Sequence, residues 1–159
     1  YAPAMIYLKQ VNSLEAYEAG LIKIRYAPAE KRVLFYNHDS TGAVGRSLCG
    51  SKYKWWSYGQ LDSGIHVGSG DHAILVEDVP SACAVSCIPN YTGVALLGAK
   101  ITNGIKSALI DYKSFTLILD NDASGNAIIE ASRLAGCKLR FTKLDLKNLT
   151  AEEIMGVIK

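Results

Sequence analysis

The sequence predicts an α/β fold in which a parallel sheet is covered by helices on both faces. From about residue 73 onward, short apolar runs alternate with segments of helical pattern. Because the runs are apolar throughout rather than at every second position, they are typical of parallel strands buried on both sides. Strands are expected at residues 73–76, 94–97 and 115–119, with a weaker one at 138–142. This alternation predicts a right-handed, Rossmann-like layer.

Helices are expected between these strands, at residues 80–87, 103–110 and 124–134. A further helix is expected at the end of the chain, because Thr150 and Glu153 have the spacing of a reciprocal capping box.

The first part of the chain has a different pattern and predicts a small, basic α+β subdomain over residues 1–70, followed by the α/β domain over residues 71–159. The segment from Gly59 to Gly70 is rich in glycine and predicts a linker or mobile loop.

Within that first part, Asn12 and Glu15 have the spacing of a helix cap, and the short helix would end at Gly20. Residues 31–36 and 43–48 are strand-like and flank a run of turn-forming residues, so they predict a β-hairpin.

Composition places the chain among globular proteins, with 49% hydrophobic and 20% charged residues and a net charge of +2. Any affinity for nucleic acid must therefore come from a local basic patch. No apolar run approaches the ~18 residues of a membrane helix. The four cysteines lack partners at zinc-ligand spacing, so we expect buried, reduced thiols and a cytosolic location. Because the first residue is Tyr1 rather than Met, we expect a processed chain or a fragment.

Acidic residues follow two of the predicted strands. Glu77 comes after the first strand, and Asp120 and Asp122 come after the third. Ligands of open α/β sheets bind at the carboxyl ends of the strands, and residues i and i+2 of an extended segment face the same way. Carboxylate oxygens in this arrangement suit Mg²⁺. The alternative is that these acids only cap the helices that follow.

These residues resemble the Toprim domain, which occurs in bacterial and phage primases, topoisomerases and some nucleases. The resemblance covers residues 71–159: I-L-V-E at 74–77, the strand and glycine at 94–99, and L-I-L-D-N-D-A-S-G at 117–125. It implies that Asp120 and Asp122 bind Mg²⁺ or Mn²⁺ and that Glu77 binds metal or transfers a proton.

Three positions differ from the family pattern. Asp78 replaces the glycine after the glutamate, Ser81 replaces an acid, and Ser124 replaces an alanine. None of these changes removes a metal carboxylate.

The first part of the chain resembles the segment that precedes the Toprim core in DnaG-type primases, where a basic subdomain forms one wall of a groove for template and nucleotides. Cationic and aromatic residues alternate here: Arg46, Lys52, Tyr53, Lys54, Trp55, Trp56 and Tyr58. Cations bind phosphates and aromatic faces stack on unpaired bases. The tryptophans could instead pack between the two parts, with one buried and one exposed because neighbours in a strand point opposite ways. Lys100, after a strand end, is a further candidate for phosphate binding.

Taken together, the resemblance implies a primase catalytic core, a Mg-dependent nucleotidyltransferase that makes RNA primers from NTPs on single-stranded DNA. A replicative helicase would be a further partner, in the cytoplasm of a bacterial or phage-infected cell. Two alternatives stay open: a Toprim nuclease that uses the same carboxylates to activate water, and a non-catalytic nucleic-acid-binding module. An ATP-driven motor is excluded because the sequence contains no phosphate-binding G-x-x-x-x-G-K-[ST] motif.

Overall fold

The structure is a computed structural model that describes residues 1–98, 101–119 and 136–159, together with the backbone of Asp120. The predicted helix at 124–134 and two predicted site residues, Lys100 and Asp122, lie outside the described residues.

The first half of the chain folds as two helices and an antiparallel sheet. Its elements are α1 (Ala2–Gln10), α2 (Leu14–Glu18), β1 (Ile24–Ala27), β2 (Arg32–Tyr36), β3 (Gly42–Ser47) and β4 (Trp55–Gly59), and the strand order is β1-β2-β3-β4. The predicted hairpin is confirmed, since β2 and β3 pair from Arg32–Ser47 to Tyr36–Ala43. Asp39 tightens its turn by accepting hydrogen bonds from both the backbone N–H and the hydroxyl of Thr41.

The predicted role of Asn12 as a helix cap is wrong, although the short helix exists. Ser13 occupies the N-cap position of α2, and Asn12 has a left-handed backbone with φ of 54°. Its side-chain amide donates instead to the carbonyl oxygens of Lys147 at 2.8 Å and Leu149 at 3.1 Å. Asn12 therefore ties the first half of the chain to a loop near the C-terminus.

The second half contains the predicted parallel sheet. Its strands are β5 (Ile65–Val67), β6 (His72–Val76), β7 (Tyr91–Ala95), β8 (Ser114–Asp120) and β9 (Lys138–Thr142), in the order β5-β7-β6-β8-β9. β6 runs parallel to β7 and β8, and β8 runs parallel to β9, whereas β5 is antiparallel to β7. The predicted fold class, an α/β parallel sheet preceded by a small α+β subdomain, is confirmed.

The expected linker from Gly59 to Gly70 contains β5, so that prediction is wrong for Ile65–Val67. Ile65 and Val67 are fully buried, and β5 pairs with β7 as the edge strand of the second sheet. Two apolar residues among glycines are too short a signal to predict a strand. The position of the boundary at residue 70 stays a prediction.

Helices cover the second sheet: α3 (Val79–Ser86), α4 (Asn103–Ala108) and α5 (Ala151–Ile158), with a 3₁₀ turn at Leu146–Asn148. The capping box of α5 is confirmed, since Thr150 and Glu153 exchange both hydrogen bonds. Gly93 allows α3 to lie directly on β7, because a Cβ atom there would lie 2.2 Å from the carbonyl oxygen of Ala82.

One hydrophobic core joins the two halves. It includes Val33, Phe35 and Val44 of the first sheet together with Val76 and the inward face of α3. The opposite face of the second sheet packs on α4 in a separate cluster. Because the two halves share buried side chains, they pack against each other along a common core.

No helix in the described ranges is long and apolar enough to cross a membrane. The four cysteines are free thiols, as expected. Burial raises the pKa of the Cys83 thiol to about 12. The expectation of burial is wrong for Cys49, which is exposed in the loop after β3, and only partly met by Cys87 and Cys137, which are half-buried.

Candidate active-site groove

The predicted acidic edge lies where the parallel strands of the second sheet end. Glu77 and Asp78 follow β6 directly, and Asp120 is the last residue of β8. The backbone N–H of Leu97 donates to the carbonyl oxygen of Glu77 at 3.0 Å, so β6 and β7 stay in register up to the glutamate. Asp120 is paired with Thr142 across β8 and β9. The sheet therefore brings three strand ends to one edge.

A small cavity at this edge, the acidic crevice, joins residues from β6, α3, β8 and the segment after β9. Its lining residues are Val76, Glu77, Asp78, Ser81, Ile118, Thr142, Asp145 and Leu146. Its volume is about 20 Å³, which is room for about one water-sized group. Glu77, the predicted catalytic residue, is exposed at its mouth.

Asp78, at the position of the family's glycine, has two partners. One carboxylate oxygen accepts a 2.8 Å hydrogen bond from the backbone N–H of Ser81 and caps α3. The other accepts from the ammonium group of Lys147 at 3.3 Å. Ser81 is buried in the first turn of this helix. Asp78 is therefore a cap, as the alternative reading of the strand-end acids proposed, and it also carries charge into the crevice.

Sequence reasoning missed Asp145 and Lys147. Asp145 lies three residues beyond the end of β9 and contributes a third strand-end acid to the crevice. Asp145 could have been predicted in the same way as Glu77, as an acid near the end of a strand, if a gap of three residues after the strand had been accepted. Lys147 forms ion pairs with Asp145 at 3.6 Å and with Asp78. The second pairing joins residues 69 positions apart, and no local signal predicts it.

Oxygen ligands of the crevice suit a hard divalent cation such as Mg²⁺. Among the residues with described side chains, no three histidine, cysteine or acidic groups converge on one point as a metal site. The predicted ligands Asp120 and Asp122 stand outside that set, and the backbone of Asp120 reaches the edge of the crevice at Thr142. The donor chemistry therefore fits Mg²⁺, and the assignment of Glu77, Asp120 and Asp122 as its ligands stays a prediction.

The first half presents a basic–aromatic wall, formed by Arg46, Lys52, Tyr53, Lys54, Trp55 and Trp56. As predicted, the tryptophans point opposite ways: Trp55 packs on Phe35 with ring centroids 6.0 Å apart, and Trp56 is 48% exposed. The guanidinium of Arg46 lies 5.6 Å from the Trp55 ring centroid, within the range of cation–π attraction.

Buried Arg32 holds the loop of this wall in place. Its guanidinium donates to the carbonyl oxygens of Gly45 at 3.0 Å, Tyr53 at 2.7 Å and Lys54 at 3.2 Å. These bonds fix the backbone of the exposed residues 52–54, so their side chains start from defined positions.

A second cavity connects the wall to the acids. Val44, Trp55 and Ser57 line one side, and Glu77, Asp78, Val79 and Leu97 line the other. Because Glu77 and Asp78 line both this cavity and the acidic crevice, the two cavities adjoin at these residues, and together they are called the groove.

Charged side chains from both halves of the chain, Arg46 and Asp78, lie near the phenol of Tyr7. Burial raises the pKa of the Tyr7 phenol on α1, while the nearby Arg46 cation lowers it and the Asp78 carboxylate raises it further. Tyr7 therefore stays protonated.

The fold is similar to that of several solved structures. A DNA primase domain from Pseudomonas aeruginosa matches with a TM-score of 0.62 over 91% of this chain and 58% of that chain, at 19% identity. The chain has the fold of a DnaG-type primase catalytic core. A DnaG catalytic core matches with a TM-score of 0.60 at 17% identity. The Aquifex aeolicus primase, with its zinc-binding and RNA polymerase domains, matches with a TM-score of 0.61 over 97% of this chain, at 21% identity.

The chain spans less than three fifths of the length of these structures: 58%, 59% and 47% respectively. The sequence itself matches no protein-family model, and comparison with curated proteins also finds no match.

Proposed function

We propose that this chain is the catalytic core of a DNA primase, which joins NTPs into RNA primers on single-stranded DNA. The observation that carries the proposal is the groove in which Trp55 of the basic–aromatic wall faces Glu77 and Asp78 of the acidic edge. Polymerisation on a template needs both a surface for unpaired bases and a cation site for the triphosphate. The fold of the primase catalytic cores supports the same function.

In this proposal Glu77, Asp120 and Asp122 hold Mg²⁺ or Mn²⁺. The bound cation would neutralise charge on the triphosphate and orient the attacking 3′-hydroxyl. The exposed position of Glu77 at the groove suits either metal binding or transfer of the hydroxyl proton. Asp145 lines the same crevice and adds negative charge to it.

The wall would bind the template. Lys52 and Lys54 are exposed and can reach phosphates, and Arg46 lies between the rings of Tyr7 and Trp55. Exposed Trp56 and Tyr53, whose ring centroids are 5.3 Å apart, offer faces for base stacking. One of the solved structures with this fold is a DnaG primase catalytic domain bound to single-stranded DNA, matched at 18% identity with a TM-score of 0.58. Lys100 would add a phosphate contact, and a replicative helicase would be a cytoplasmic partner.

The direct test is to incubate the protein with single-stranded DNA, labelled NTPs and Mg²⁺ and to separate the products by size. Short NTP-dependent oligonucleotides, lost in Glu77→Gln, are expected. Cleavage of the DNA without NTP incorporation would instead indicate a nuclease. Binding without either product would indicate a non-catalytic module.

A further inference from the structure

Lys147 places a positive charge inside the acidic edge. Its ammonium nitrogen lies 3.3 Å from a carboxylate oxygen of Asp78 and 3.6 Å from one of Asp145. The lysine side chain is 23% exposed, against 72% for Lys113, which pairs with Asp71 at the opposite edge of the sheet. Lys147 therefore bridges two acids from different strand ends in a partly enclosed position.

The backbone that carries Lys147 is fixed on both sides. Leu146, in the same 3₁₀ turn, is buried, and the amide of Asn12 binds the Lys147 carbonyl oxygen at 2.8 Å. The Asn12 side chain makes this hydrogen bond and does not cap α2. The backbone of Lys147 is therefore held near Asp78 in part by a contact with a residue 135 positions away in the sequence.

Space in the crevice is limited to about 20 Å³, which admits about one water-sized group beside the side chains already there. A divalent ion between Asp78 and Asp145 would lie within a few ångströms of the ammonium group. At such distances the repulsion between the two cations would weaken ion binding by roughly tenfold or more.

We infer that the Lys147 ammonium group occupies a cation position of this crevice, so that the wild-type site binds one divalent ion fewer than its carboxylates would otherwise hold. The inference rests on the proposed metal-dependent function and adds a residue that limits metal loading. The Lys147 charge offsets one of the two negative charges of Asp78 and Asp145, and the divalent ion is directed to the Glu77 side of the groove.

The test counts Mn²⁺ ions bound per chain, from the electron paramagnetic resonance signal of free Mn²⁺, in the wild type, Lys147→Met and Lys113→Met. Both variants remove one positive charge, Lys147→Met together with two ion pairs and Lys113→Met together with one. In both, methionine keeps the length of the lysine stem. We expect Lys147→Met to bind one more Mn²⁺ than the wild type and Lys113→Met to bind the same number. Adding Asp145→Asn to Lys147→Met should remove the additional ion.

Equal stoichiometry and affinity in the wild type and in Lys147→Met would overturn this inference and leave the proposed function standing. A wild type that binds no Mn²⁺ would contradict the proposed metal site, and the inference with it. An additional ion that persists in the Lys147→Met, Asp145→Asn double variant would place it away from the crevice and also overturn the inference. Circular dichroism of each variant establishes that it is folded.

Discussion

The basic–aromatic wall and the acidic edge are built differently. Of the wall residues, Trp55 lines the groove, whereas Trp56 points to the opposite face of its sheet. The basic–aromatic wall lies on and beside the edge strand β4, and its side chains are largely exposed, with Tyr53 at 54% and Trp56 at 48%. The acidic edge lies at the strand ends of a buried sheet, and Asp78 there is fixed by a helix N-terminus and an ion pair. Exposed cations and rings tolerate many backbone and base positions, whereas metal-assisted chemistry needs ligands in defined places. Under the proposed function, this difference suits the wall to binding and the acidic edge to chemistry.

The largest effect should come from the acidic edge. Asp120→Asn or Asp122→Asn should lower primer synthesis by roughly three orders of magnitude, since a bound metal contributes several kcal/mol of charge stabilisation. Thermal stability should stay at or above that of the wild type, because removing one of several clustered carboxylates relieves repulsion. Product formation and thermal unfolding measure the two quantities, and full activity in either variant would contradict the site assignment.

A stability effect should come from the support of the basic–aromatic wall. Arg32→Met leaves the carbonyl oxygens of Gly45, Tyr53 and Lys54 without their guanidinium partner. We expect a loss of about 2–3 kcal/mol in the free energy of unfolding by urea, together with weaker binding of single-stranded DNA. Arg25→Met, the same change at an exposed position of β1, is the matched control. Equal stability of the two variants would show that the Arg32 contacts do not support the wall.

The wall itself should act through phosphate contacts. The double variant Lys52→Ala, Lys54→Ala should reduce the salt dependence of single-stranded DNA binding, with the slope of log K against log salt falling by about 1.4. Fluorescence anisotropy at several salt concentrations measures this slope. The control removes two charges at the opposite edge of the second sheet, with Lys113→Ala and Lys138→Ala. A slope that falls only in the control would move the binding surface there.

The smallest effect concerns pH and lies away from both walls, at His66 on β5. Burial lowers the pKa of His66 below its ordinary value of 6.5. The folded protein therefore binds fewer protons than the unfolded chain between the lowered pKa and 6.5, so stability is fully present above pH 6.5 and falls as the pH drops through that window. His66→Gln should flatten this part of the stability profile in urea unfolding. An unchanged profile would assign the pH dependence to other groups.

Much of this architecture follows from local pattern. The parallel strands were predictable because burial on both faces makes them apolar at every position. The position of Glu77 at the acidic edge was predictable because it directly follows such a strand. The capping box at Thr150 needs only four residues and was confirmed.

The contacts that shape the acidic crevice were not predictable in this way. Asn12 has the spacing of a cap, yet it binds carbonyl groups 135 and 137 positions away. Lys147 and Asp78 lie 69 positions apart in the sequence. Their pairing depends on how α3 packs against the turn after β9. Such a long-range contact leaves no local pattern in the sequence.

Under the proposed function both walls contact the same bound nucleic acid, and localised cleavage by Fe²⁺ measures whether they do. Fe²⁺ accepts the same oxygen ligands as Mg²⁺, and with ascorbate and peroxide it cuts nucleic acid that lies close to it. End-labelled single-stranded DNA bound to the protein should be cut within a narrow window. Cutting should be lost in Asp120→Asn, which removes the ion, and in the Lys52→Ala, Lys54→Ala variant, which releases the DNA. Cleavage spread evenly along the strand, or unchanged in both variants, would show that the two walls do not hold one nucleic acid beside the metal site.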